Sequence, residues 1–168
     1  MKLLAFETAT EACSVALYVD GQVTERFEIA PRRHAELSLP WAEALLAEAG
    51  VARSQLDAIA LGRGPGAFTG VRLAIAIAQG IALALDRPLI PVSTLQALAL
   101  RAPADADQVL ASIDARMGEV YAARQIRVGG QWQLQGEEIV CAPEQVVVPE
   151  GTRWFGVGTG FGAAEGVL

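Results

Sequence analysis

The sequence is poor in the residues that carry most enzyme chemistry. Among 168 residues it has one histidine, His34, and two cysteines, Cys13 and Cys141. The cysteines stand far apart with no C-x-x-C spacing, which argues against a zinc site or a disulfide and fits a reducing compartment. A lone histidine in "RRHAE", at a helix start, is read as structural. No H-E-x-x-H or G-x-S-x-G motif occurs. Ser14, Ser38 and Ser93 have no adjacent base, and the acids Glu7, Glu11, Asp57 and Asp114 are scattered. Positive charge is scarce too: 13 Lys and Arg stand against 19 Asp and Glu, for a net charge of -6. The one basic cluster is Arg32–Arg33, so the chain is not expected to grip RNA by itself. The N-terminal "MKLLAFETAT" has too short an apolar run for a signal peptide. The longest apolar stretch, Leu73–Leu85, contains Gln79 and Gly80 and falls short of the ~20 residues of a membrane span. These absences predict a soluble cytoplasmic protein with no catalytic residue, no metal and no cofactor of its own.

What the chain has is apolar bulk. Hydrophobic residues make up 52% and charged residues 19%. A chain this long buries roughly 70% of its unfolded surface and needs no covalent staples. Residues 3–30 read as three strands, with a hairpin signal at Asp20–Gly21. A helix follows over 35–49, stopped by Gly50. Then come the buried strand "LDAIALG", the loop "RGPGAFTG", a helix over 71–86 with Thr69 as its cap, the strand "RPLIPVS", and the helix "LQALALRA" capped by Ser93 or Thr94. A polar break at "APADADQ" predicts a boundary after residue 101. Beyond it a second meander starts, with turns at Met117–Gly118 and Gly129–Gly130 and a short helix at "APEQV". The pattern predicts an α/β protein of two lobes, 1–101 and 102–168, with mixed sheets flanked by helices. The second lobe is expected to be incomplete, stopping before the helix–strand–helix of the first.

The loop "GRGPGA" fits a dinucleotide fingerprint through Gly62, Gly64 and Ala67, but its context is wrong. That fingerprint follows the first strand of its unit, and here the loop follows the fourth. Pro65 removes an amide that a pyrophosphate would use, and no lysine is present for a Walker loop. A tight turn that lets the helix pack closely is favoured over a phosphate site. The helix after it is apolar almost all round. Leu73, Ile77, Ile81 and Leu85 form the stripe expected to face the sheet. Ala76, Gly80 and Ala84 form a ridge of small residues on another face, beside Arg72, Gln79 and Leu83. In the preceding helix Leu37, Trp41 and Leu45 make one stripe, which Leu39, Ala42, Leu46 and Ala49 continue around. Two over-apolar neighbouring helices predict a protein partner, with Leu37, Trp41, Leu45, Arg72, Ala76, Gln79, Gly80 and Leu83 as interface residues. A tight pairing of the two helices within the lobe is the alternative.

"ETATEACSVAL", "GRGPGAFTGVRLAIAIAQGIAL", "PVSTLQALA" and "IDARMGEVYAA" together resemble the bacterial TsaB (YeaZ) family. The likeness runs from Lys2 to about Gly162. It implies the two-lobe fold of actin, the Hsp70 ATPase and the sugar kinases. It also implies a role beside the paralogous enzyme TsaD in making N6-threonylcarbamoyladenosine on tRNA. TsaD carries an H-x-x-x-H metal motif, and the matching positions here are Thr94 and Leu98, which make poor or impossible ligands. The resemblance thus implies a non-catalytic subunit that pairs its two N-terminal-lobe helices with those of TsaD, or with a second copy when alone. The ATPase TsaE and a threonylcarbamoyl-AMP donor would act through the complex, and tRNA would be met only indirectly. Family members usually run on past this length, finishing the second lobe and returning a helix to the first. An alternative is a peptidase or small-molecule kinase on the same superfold. For a kinase the nucleotide-proximal candidates are Glu7, Thr8, Gly64, Gly66 and Asp114. A homodimer with no TsaD dependence is the third reading.

Overall fold

The computed structural model describes residues 1–150, 153–166 and 168. They divide into two compact units, Met1–Val92 and Ser93–Leu168.

The first unit opens with strands β1 (Lys2–Glu7), β2 (Ala12–Val19) and β3 (Gln22–Ile29). They form an antiparallel meander. Asp20 and Gly21 close its first hairpin with φ of 48° and 102°, the left-handed pair that a two-residue turn requires. Helix α1 (His34–Glu48), strand β4 (Ala58–Gly62), helix α2 (Phe68–Leu85) and strand β5 (Leu89–Val92) follow. The sheet order is β3-β2-β1-β4-β5, with β1, β4 and β5 parallel. Strand alternation decides the core. Leu4 and Phe6, Val15 and Leu17, and Ile59 and Leu61 pack with Ala42, Leu45 and Leu46 of α1 and Ala74, Ala78 and Ala82 of α2. Gly50 ends α1 in the left-handed region at φ 63°, as expected, and Val51 N–H returns to the Leu46 carbonyl.

Two expectations for α2 are corrected. Its first turn starts at Phe68, and the cap is Ala67 with no side-chain hydrogen bond, so exposed Thr69 is inside the helix and not its cap. The fully buried face is Gly70, Ala74, Ala78 and Ala82. The larger Ile77, Ile81 and Leu85 flank that face and are only partly buried against the core. Small side chains let the helix axis sit close to the sheet, so the bulky stripe turns aside. The helix is also longer than the stretch read from the sequence. By length and composition alone it reaches a membrane span, but its alanine face is seated in the unit's core.

The second unit begins with helix α3 (Thr94–Ala99), capped by Ser93, whose hydroxyl accepts from Gln96 N–H. Strands β6 (Gln108–Arg116), β7 (Glu119–Val128) and β8 (Gln131–Leu134) repeat the antiparallel meander. Gly118, Gly129 and Gly130 take positive φ in the two expected turns. Strand β9 (Ile139–Cys141) pairs with β7, a 3-10 turn spans Pro143–Gln145, and β10 (Phe155–Val157) adds parallel to β6. The β10 strand and the 3-10 helix after it, Thr159–Gly166, were not legible in "WFGVGTGFG". Leu95 and Ala99 of α3 pack with Val109, Ala111, Ile113, Ala123, Trp132 and Val157. This packing draws α3 into the second unit and moves the boundary ahead of the composition break at 101/102. The architecture is two mixed sheets flanked by helices, with the three-strand opening used twice.

Candidate docking face and glycine loop

The glycine loop is held by the chain's own backbone. A Cβ on Gly66 would stand 2.3 Å from the Ala9 carbonyl oxygen, and one on Gly70 1.9 Å from that of Thr8. A Cβ on Gly62 would stand 2.1 Å from the Glu7 carboxylate. Ala67 N–H donates to the Ala9 carbonyl at 2.7 Å, and the fully buried Thr8 hydroxyl donates to the Gly70 carbonyl at 2.7 Å. Glu7 in turn accepts from Ala9 N–H at 2.7 Å. The glycines therefore zip the β4–α2 loop to the β1–β2 loop, which is the tight-turn role. Of the nucleotide-proximal candidates, Glu7, Thr8, Gly64 and Gly66 come together here. Gly64 takes φ 88° against the Val71 side chain.

Asp114 lies in the second unit, near the end of β6. Its carboxylate accepts from Arg116 N–H at 2.7 Å and pairs with the Arg116 guanidinium at 3.3 Å. Arg116, Met117 and Gly118 all take positive φ after a register break. The carboxylate thus does the work of a hairpin turn. Thr94 is buried at the start of α3, and Leu98 packs against the second core. No group of three or more His, Cys, Asp or Glu stands at metal-binding spacing among the described residues. His34 directs Nε2 to the carbonyls of Thr10 at 3.0 Å and Ala12 at 3.2 Å, so that nitrogen carries the proton and ties α1 to the β1–β2 loop. Ser38 donates to the His34 carbonyl and Ser14 to Glu25, and neither reaches the imidazole. Burial pushes the Cys13 thiol above its ordinary range.

The candidate surface on α1 and α2 carries exposed apolar residues, Leu39, Phe68 and Leu83 among them. Arg72, Ala76, Gln79, Gly80 and Leu83 are all exposed, Leu83 by 86%. A Cβ on Gly80 would meet nothing within 4 Å, so no helix of this unit covers the small-residue ridge. The ridge borders an open groove of about 360 Å³ lined by Leu39, Ala42, Leu46, Gly80, Ile81 and Ala84, among others. Leu37 and Trp41 are half-buried and do not line the groove, and Trp41 packs on the core. Leu45 is a correction: at 1% exposed it is a core residue and cannot form a surface. Two contributors were missed. Leu39 is exposed, and Phe68 is 72% exposed with the Arg72 guanidinium 3.4 Å over its ring. Arg72 also donates to the Phe68 carbonyl at 3.2 Å, which holds the pair in place. Phe68 lies ahead of residue 71, where the apolar helical pattern of the sequence begins.

The chain is 47% identical over 169 residues to the tRNA threonylcarbamoyladenosine biosynthesis protein TsaB of Escherichia coli, covering 97% of this chain and 73% of that one. The chain belongs to the TsaB (YeaZ) family. The Haemophilus influenzae TsaB is 44% identical over 174 residues, covering 97% and 74%. The solved structure of YeaZ from Pseudomonas aeruginosa superposes with a TM-score of 0.92 at 53% identity, covering 96% of this chain and 77% of that one. The family model described as TsaD, tRNA N6-adenosine threonylcarbamoyltransferase, also matches residues 11–154. A TsaB-family chain is thus similar in sequence to the transferase named TsaD. In this TsaB-family chain the glycine loop leads into α2, the helix that carries the candidate docking face.

Proposed function

We propose that this chain is a non-catalytic subunit that pairs with TsaD and activates it for N6-threonylcarbamoyladenosine formation on tRNA. One observation carries the reading: the uncovered ridge Ala76–Gly80–Ala84 beside the α1–α2 groove. A surface helix facing water would be charged there, and α2 has no acid or lysine before Asp86. Small residues on such a ridge let a second helix backbone come close. The likeness to the TsaD family model supports a partner built on the same α1–α2 plan, so the two pairs of helices would meet face to face. TsaE would join through the complex, and a second copy of this chain would take the face when TsaD is absent. Thr94 and Leu98 offer no metal donor set. The net charge of -6 leaves tRNA binding to the partner.

The test is Gly80→Leu. The added side chain enters open space and pushes two helix axes from ~8 toward ~10 Å apart. Co-purification with TsaD and tRNA modification by the mixture are expected to fall together, while the melting temperature of the variant holds. Normal TsaD binding by a folded Gly80→Leu chain would place the interface elsewhere.

A further inference from the structure

Strand β3 is the outer strand of the first unit's sheet and pairs with β2 alone among the described residues. Every residue of it except Arg26 is exposed. Val23, Phe27 and Ile29 are 66%, 59% and 62% exposed, and they share one face with Glu25. The direction of its free backbone groups follows from the hairpin. Val19 and Gln22 close a two-residue turn and so form a hydrogen-bonded pair. At the other end Ala30 N–H donates to the Glu11 carbonyl. The even-numbered residues therefore bond to β2. Glu25, Phe27 and Ile29 turn their N–H and C=O groups outward, and so does Val23.

An unpaired edge of this length templates a further strand unless charged side chains, proline or a bulge guard it, and charges fail as guards where they complement the incoming strand. β3 has no lysine and no proline, and its register with β2 is unbroken. Its charges are arranged to accept itself. Two copies related by a two-fold axis through the sheet keep their faces matched, so odd residues oppose odd ones. Centring that axis on Glu25, Arg26 or Glu28 sets a charge against its own copy, which is unfavourable. Centring it on Phe27 sets Arg26 of each copy against Glu28 of the other, with the two phenyl rings at the axis and Glu25 beside Ile29. Arg26 and Glu28 now pair with Glu48 and Arg33 within the chain. Those pairs are exposed, so re-partnering costs little.

We propose that β3 is a self-association edge: a second copy of this chain adds antiparallel to it, with Phe27 on the two-fold axis and Arg26 facing Glu28 across it. The surface is separate from the α1–α2 face, and the experiment keeps the two apart. In a Gly80→Leu background, sedimentation equilibrium is run to about 0.1 mM, a range that detects even weak pairing. Concentration-dependent dimer is expected. Arg26→Glu or Glu28→Arg alone should weaken it about tenfold or more, and the double swap should restore it, because the facing charges are then opposite again. Amide hydrogen exchange at high concentration should slow at Glu25, Phe27 and Ile29 and stay unchanged at Thr24, Arg26 and Glu28. Arg26 is half-buried and Glu28 exposed, neither belongs to the core, and far-UV dichroism verifies the fold of all three variants. A monomer throughout the range, a dimer indifferent to the single swaps, a double swap that fails to restore it, or slowed exchange at other amides instead would each overturn the proposal.

Discussion

Gly70 and Gly80 stand ten residues apart on one helix and carry opposite burdens. Gly70 meets the Thr8 carbonyl oxygen where a Cβ would go, and Gly80 meets nothing. Gly70→Ala forces backbone apart and is expected to destabilise by ~1–3 kcal/mol, read as a lower urea midpoint. Gly80→Ala is expected to stabilise by up to ~1 kcal/mol, since glycine is the poorer helix former and the added methyl touches nothing. Equal shifts in the two variants would contradict the packing of the β4–α2 loop on the β1–β2 loop. Cys13 makes a second residue-scale case. Burial raises its pKa from 9.0, with the nearby Glu28 charge adding to the effect and the Ser38 hydroxyl opposing it. A raised folded pKa means stability that is fully present below pH 9 and lost as pH climbs toward the folded value, because only the unfolded chain releases the proton easily. Native Cys13 is therefore expected to resist alkylation at pH 8 and to react on unfolding. Cys13→Ala should show a flatter loss of stability above pH 9. Rapid labelling of the native thiol would refute this.

At the scale of elements, α2 divides into a face that cannot grow and a face that can. Ala78 has no exposed surface, and Gly80 sits two residues on in open space. Ala78→Leu is expected to cost ~1–3 kcal/mol or more of stability with loss of cooperative melting, whereas Gly80→Leu should melt normally. Thermal melts of the two variants check this directly, and a normal melt for Ala78→Leu would mean that the helix lies differently on its sheet. The assignment of the faces was the part of α2 that the wheel got wrong. Leu73, Ile77, Ile81 and Leu85 look like the sheet side because they are large. The sheet accepts the alanine side because close approach there buries more of the whole helix.

At the scale of the molecule, the chain by itself is expected neither to hydrolyse ATP nor to modify tRNA, and turnover abolished by a point substitution in it would sink the subunit reading. It is also expected to bind tRNA weakly at physiological salt, given 13 basic against 19 acidic residues. A sub-micromolar affinity, roughly -8 kcal/mol or better, with a steep salt slope would show a cationic surface that the charge pattern does not reveal.

The sequence by itself determined the elements of the first unit, because each rests on a local signal. Asp20–Gly21 demands a left-handed turn, alternation marks the strands, and Gly50 stops a helix. The repeated meander in the second unit was legible for the same reason, and the cap of α3 was legible as Ser93 or Thr94, of which the structure selects Ser93. Much of the candidate face was legible as well, since the charge missing from α2 can be read from residue types alone. Only the tertiary structure decided which side of α2 is buried and that Leu45 belongs to the core. It also assigned α3 to the second unit and showed that Gly66 and Gly70 face the backbone of Ala9 and Thr8. Each of these turns on distances between segments far apart in the chain. Burial is a property of the neighbours a residue acquires, and a one-dimensional pattern records only the residue.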